Sequence, residues 1–211
     1  MSSTSSYISD LVDLVHNSGR QITGVFDPEH QDPTFFYSIG NSSYKGSYPL
    51  EFISWWQTDK TPCGLINNVG DGLHALPDLA RQVAEGGAMV TGALGAEAEF
   101  GVILRPLTGF LARVTRERYA CALTNPAFFG EDLVMPNDLI QILIPDLEGV
   151  FPGEDGCHPV VNEWVPEFLR LPGDWTPGVV VDYEDLIEAA EGARRLRPRR
   201  PHRPSNGFGD S

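Results

Sequence analysis

The residues able to do chemistry in this 211-residue chain are few and scattered. Cys157 and His158 are the residue types of a thiolate–imidazole pair, and they are neighbours in sequence. Adjacency does not set a base against a thiol, and nucleophilic catalysis needs that geometry. Cys121 lies in the apolar run Ala120-Cys121-Ala122-Leu123, a setting for packing rather than for an activated thiolate. No G-x-S-x-G nucleophile elbow occurs. Asp71, His74 and Asp78 offer oxygen and nitrogen donors near a helix start, without an H-E-x-x-H or Cys/His framework around them. His16 and His30 have no evident ligand partners. The stretch from Gly86 to Gly95 is glycine-rich, yet it lacks the Lys-Ser/Thr ending of a P-loop and the G-x-G-x-x-G spacing of a dinucleotide site. We therefore expect no catalytic residue, no metal site and no cofactor, and the balance leans against an enzyme.

Two other features point to binding. In a strand, Trp55 and Trp56 send their rings to opposite faces. One ring then needs a cover, either a second layer of the same chain or a partner, because exposed aromatics concentrate at interfaces. The second feature is the charge distribution. The net charge is −14, and it is uneven. Residues 194–211 hold Arg194, Arg195, Arg197, Arg199, Arg200 and Arg203 against the single acid Asp210. Residues 1–193 hold nine basic and 28 acidic residues, a net of −19. Such a body repels nucleic acid and anionic membranes. The arginine-rich end alone attracts a phosphate backbone, an acidic partner or the body itself. The expected partner is another protein or a second copy of the chain, with Trp55 or Trp56 as anchor and the arginines as an electrostatic arm. Nucleic acid is expected only through that arm, and membrane binding is not expected.

These residues must be held by a fold. A chain of this length suits one domain with a tail, and it can bury a core without staples. Three widely spaced cysteines with no CxxC pair argue against a disulfide framework and for a reducing compartment. Met1 to Ser6 has no basic or apolar leader character, and no apolar run approaches the ~20 residues that span a bilayer. The expected location is cytoplasmic, or virion-associated in a phage.

Hydrophobic spacing predicts a helix from about Tyr7 to Asn17, with Ile8, Leu11, Val12 and Val15 on one face. Strand-like runs follow at Gln21–Phe26, Thr34–Ile39 and Leu50–Trp56. A second helix is expected over Leu73–Glu85, starting near Pro77. Strands are then expected at Ala88–Thr91, Glu99–Leu104, Phe110–Thr115, Arg118–Leu123 and Leu139–Ile144. A late helix spans about Tyr183–Arg195, acidic at its start and basic at its end, as the helix dipole favours. Pro198, Pro201 and Pro204 prevent further helix, leaving an Arg/Pro tail expected to be disordered in isolation. The division expected is an α+β domain over 1–193 and a basic tail over 194–211. Its architecture is a curved, mainly antiparallel sheet with helices packed on one side.

Two segments about a hundred residues apart carry a resemblance. Phe36-Tyr37-Ser38-Ile39-Gly40, followed by Tyr48-Pro49-Leu50-Glu51-Phe52, is similar to the strand end and Pro-Glu-Leu signature of the bacterial family called domain of unknown function 4262. Here Leu50 is inserted between Pro and Glu, and Asn41 replaces a leucine. Ile140-Gln141-Ile142-Leu143-Ile144-Pro145-Asp146, leading to Gly149, Phe151 and Pro152, resembles the family's second motif. The likeness covers roughly residues 21–159. It implies a scaffold found in bacteria and phages, and it transfers no mechanism.

Read physically, Gly40 and Gly149 are turn residues, and Pro145 to Gly149 is a turn after an apolar strand. If the two motif strands are neighbours, Tyr37, Gly40, Glu51, Gln141, Asp146 and Gly149 line a shared cleft. That is the alternative function: a small-molecule-binding protein or enzyme using the cleft between the motifs. Otherwise Tyr37 and Gln141 are satisfied core polar groups.

Overall fold

Seven strands and five α-helices account for most of the computed structural model, which describes residues 9–10, 12–15, 20–27, 32–41, 49–57, 59–95, 100–124 and 138–196. The strands are β1 (Gln21–Asp27), β2 (Asp32–Ile39), β3 (Leu50–Trp55), β4 (Ala88–Thr91), β5 (Val102–Leu107), β6 (Asp138–Leu143) and β7 (Val179–Asp182). They form one open sheet in the order β1-β2-β3-β6-β5-β4-β7. Four neighbouring pairs are antiparallel; β3 with β6 and β4 with β7 are parallel. The class is α+β with a mixed, mainly antiparallel sheet.

The helices are α1 (Thr61–Ala75), α2 (Pro77–Gly86), α3 (Gly109–Arg118), α4 (Pro159–Trp164) and α5 (Tyr183–Leu196). The three longest-packed helices, α1, α2 and α5, share one face of the sheet. Leu65, Ile66, Val69 and Leu73 of α1, Val83 of α2 and Leu186 of α5 pack there on Phe52, Ile140, Ile142, Leu104 and Val90. The expectation of helices on one side meets an opposite face that is also covered. Ala112 of α3, Leu123, Val165, Leu169 and Leu171 pack there on Phe35, Ile53, Leu107, Leu139 and Leu143. The central strands are therefore apolar on both faces, and β3 is buried at all six positions.

Two expected strands are helix. Phe110–Thr115 lies in α3, and Arg118–Leu123 joins the end of α3 to a 3₁₀ turn at Cys121–Thr124. Alternation of apolar and polar residues suggested a strand, but burial follows helical spacing: Ala112 and Thr115 are buried and Phe110 is exposed. α1 was hidden by Gly64, Gly70, Gly72 and two asparagines, poor helix formers at interior positions. Close packing needs two of those glycines. A Cβ on Gly72 would lie 2.7 Å from both the Cβ and the backbone oxygen of Leu186. One on Gly70 would meet Arg20 Nη1 at 2.7 Å and Asn41 Oδ1 at 2.9 Å.

The expected first helix is described only at residues 9–10 and 12–15, which are helical. At the other end, α5 runs through Leu196, so the expected boundary at 193/194 falls inside a helix. Arg194 bonds Asp71 of α1, and Arg195 pairs with Glu191 at 3.1 Å. These two arginines belong to the folded body. Arg197, Arg199, Arg200 and Arg203, with the tail expectation, lie outside the described residues. Among the described residues no helix is long and apolar enough to cross a membrane.

Candidate functional site

The parallel pair β3 and β6 sets the site. Their register runs from Leu50 with Asp138 to Ser54 with Ile142, so both carboxyl ends finish side by side. Open sheets bind ligands beyond the carboxyl ends of such strands, where the chains diverge. Trp56 directly follows β3, and Asp146 follows β6 by three residues. A cavity of about 580 Å³ opens between them, completed by the 146–148 turn and by α4. That volume is in the range of small-ligand pockets.

The turn is organised by Asp146. Its Oδ1 accepts the backbone N–H of Glu148 at 3.0 Å and of Val150 at 2.9 Å; its Oδ2 accepts that of His158 at 2.7 Å. Its own N–H donates to the Val150 carbonyl at 2.9 Å. Burial pushes its carboxyl up, but the three amides and the charge of His158 together outweigh it and hold the group below its ordinary value. Gly149 completes the turn at φ 85°, with the Phe100 ring 2.2 Å from where a Cβ would stand. Asp146 is thus a bracket for the loop.

The rest of the cavity is aromatic and aliphatic. Trp56 and Trp164 meet edge to face, centroids 5.0 Å apart at 76°. Leu147 is 99% exposed at the tip of the turn, and Val160 on α4 is 51% exposed. Between Asp146 and Trp164 the chain carries Asp146, Glu148, Glu154, Asp155 and Glu163 and no lysine or arginine. On the other side of Trp56, Asp59 is held below its ordinary value by bonds from the Thr61 hydroxyl and backbone N–H, the latter at 2.7 Å. The site is an apolar trough with two carboxylates, Asp146 and Glu148, in its lining.

Only Asp146 of the expected cleft side chains lines this trough, so the cleft read from the two motifs is not formed. Tyr37 and Gln141 face one core layer, in a row Tyr37–Ile53–Gln141–Arg105 across four strands, and Ile53 separates them. Gln141 donates to the Leu169 carbonyl at 2.9 Å, which Arg105 also reaches at 3.1 Å. Gln141 Oε1 is buried with no hydrogen-bond partner among the described residues. Glu51 is fully buried and receives the Ser38 hydroxyl, while Ser38 Oγ accepts the Phe52 N–H at 2.9 Å. Gly40 sits at φ 87° just after β2, as a strand-end residue. The physical cause of the difference is burial on both faces: motif side chains that would open to a one-sided cleft meet a second layer instead.

The two tryptophans behave differently. Trp55 is buried against Phe35 and Tyr119. Trp56 is half-buried, with Trp164 as its cover within the same chain and the cavity beside it. Sequence reasoning singled out Trp56 but missed Trp164, Leu147 and Val160. A usable signal was present: Leu147 is an apolar residue at the tip of a Pro-Asp-x-Glu-Gly turn.

Cys157, Asp71 and Asp78 are engaged elsewhere. The Cys157 thiol is pushed up to about 11, first by burial and then by the charges of Asp146 and Glu154. A thiol so held is a poor nucleophile near neutral pH. Asp71 accepts Arg20 at 2.9 Å and also Arg194, and Asp78 pairs with Arg81. Among the described residues, no group of three or more His, Cys, Asp or Glu is placed to hold a metal ion. The chain matches no family model, no curated protein and no solved structure.

Proposed function

We propose that this is a non-catalytic binding protein that holds an extended apolar or proline-containing polypeptide in the Trp56–Trp164 trough. The observation that carries this reading is the trough itself: two tryptophans in edge-to-face contact beside the almost fully exposed Leu147. Aromatic anchors in a partly desolvated pocket supply most of the energy of such contacts. Asp146 and Glu148 in the lining favour basic ligands over anionic ones. The chemistry of the loop agrees with binding: the Asp146 carboxylate is occupied by three backbone amides, and the Cys157 thiol is held protonated. A cytoplasmic or phage-assembly setting and kinship with the domain of unknown function 4262 family belong to the same proposal.

A second reading, a small-molecule binder, is favoured by the size of the cavity. Both readings are tested by Trp56→Ala and Trp164→Ala in the full chain, each screened against a panel of proline-containing basic peptides and of small apolar cations. Peptide binding lost in both variants, with the fold retained by circular dichroism, supports the first reading. Binding of small cations alone supports the second. Equal binding by the unaltered chain and both variants refutes the trough as the site.

A further inference from the structure

Resting on the trough as the binding site, we propose that the group seated between Trp56 and Trp164 is a quaternary ammonium head. Such a head is the trimethylammonium of a modified lysine or of a small free cation. Three observations converge on this. The first is the pair of rings. Trp56 and Trp164 both line the cavity, with centroids 5.0 Å apart and planes at 76°. Two near-perpendicular rings make a corner, and one cation there can stand within about 6 Å of both centroids, the range of attraction by the ring quadrupole. Indole is the strongest of the aromatic partners for a cation.

The second is negative charge with few free acceptors. The lining holds Asp146 and Glu148 and no lysine or arginine. Asp146 is 8% exposed, and its two oxygens already accept three backbone N–H groups. That takes three of the roughly four acceptor sites of a carboxylate. Asp146 therefore supplies charge but little capacity to receive a ligand's N–H. The indoles have only donors. Glu148, exposed at the rim, and His158 are the other polar side chains of the lining. A primary ammonium brings three N–H donors, and each needs a new acceptor when it leaves water. A quaternary ammonium keeps the charge and has no N–H, so this lining costs it least.

The third is the apolar remainder of the cavity. Leu147 and Val160 line it and are 99% and 51% exposed, so the methyl groups of the head have aliphatic surface to cover beside the rings. The volume of about 580 Å³ leaves room beyond the head for the stem that carries it. A cation with a greasy shell matches both halves of this lining, the apolar walls and the two carboxylates. A neutral group of the same shape matches only the walls, and an anion is repelled.

The test titrates the full chain with two matched pairs of probes. One pair is choline and its neutral isostere, with a tert-butyl group in place of the trimethylammonium. The other is a lysine-centred peptide in unmodified and trimethyllysine forms. Binding is read by 5-fluorotryptophan resonances assigned through Trp56→Phe and Trp164→Phe. The quaternary member of a pair should bind about tenfold more tightly than its partner, with shifts at Trp56 and Trp164. Glu148→Gln keeps the backbone N–H that Asp146 holds, so it should leave the neutral isostere unchanged and weaken choline about twofold to fivefold. Choline bound as tightly as the modified peptide identifies a free cation as the source. The modified peptide bound far more tightly than choline identifies a polypeptide, and either result upholds the head. Equal affinity within each pair that binds overturns the inference and leaves the trough an apolar site. Preference for unmodified lysine also overturns it, because N–H acceptors then decide. No response to the four probes, while a proline-containing basic peptide shifts Trp56, overturns it too. No response at either tryptophan to any probe or peptide removes the proposed function itself.

Discussion

Asp146 should be worth more to this protein as a bracket than as a charge, and replacing it separates the two roles. Its Oδ1 serves the amides of Glu148 and Val150, and its Oδ2 serves that of His158. Asparagine keeps one acceptor oxygen, so it can still hold Glu148 and Val150. Its amide nitrogen then faces the His158 N–H, two donors with no acceptor between them. Alanine loses all three bonds. Net hydrogen-bond contributions of about 1 kcal/mol each, discounted from charged-group values because water reaches this loop, give about 3 kcal/mol for Asp146→Ala and about 1–2 kcal/mol for Asp146→Asn. For a chain of this size each kcal/mol lowers the melting temperature by about 2–4 °C. The alanine variant should therefore melt about 6–12 °C lower, and the asparagine variant about half as much lower, by calorimetry at pH 7.

The pH dependence follows from the lowered carboxyl. A group whose folded pKa lies below its unfolded value stabilises the fold above the unfolded value and loses that contribution as pH falls through the folded one. The gap between the unaltered chain and Asp146→Asn should stay constant from neutral pH down to the ordinary value of 3.8 and narrow below it. Urea midpoints measured across that range test the sign. An alanine variant that melts within about 1 °C of the unaltered chain refutes the bracket. Equal losses for asparagine and alanine refute the assignment of separate oxygens to separate amides.

Other outcomes follow from the same contacts. Gly72→Ala forces a Cβ to within 2.7 Å of Leu186 and should cost about 1–3 kcal/mol in urea unfolding by prising α5 from α1. At pH 8, alkylation followed by mass spectrometry should label exposed Cys121 well before Cys157, whose thiolate becomes abundant only as pH nears about 11. Rapid labelling of Cys157 at pH 8 would contradict its burial among carboxylates. Gln141→Leu removes a bond to Leu169 but also a buried, unpaired oxygen, so stability should change by about 1 kcal/mol or less. A loss above about 3 kcal/mol would show Gln141 to be more than a core polar group.

Much of the local structure is legible in the sequence. The β2, β3, β4 and β6 runs, the second half of the α1–α2 region and the charge-ordered α5 all follow from apolar runs, Gly/Pro stops and dipole matching. α3 was misread because its short amphipathic pattern fits both periods over seven residues. α1 was missed because Gly70 and Gly72 weaken its propensity, while the contacts that need those glycines come from Arg20, Asn41 and Leu186, 29 or more residues away in sequence. Sequence reasoning also grouped Asp146 with Tyr37, Glu51 and Gln141, because neighbouring strand ends suggested a cleft.

The sequence by itself determined the residue inventory: an acidic body, an Arg/Pro segment, a turn at Asp146 and a tryptophan at the end of a strand. Tertiary structure alone decided which of these meet. The β3–β6 register brings Trp56 beside the Asp146 turn, and the second core layer buries Tyr37, Glu51 and Gln141. Side-chain period in a strand tells which residues share a face, but only the layers packed on a sheet decide whether that face is core or site.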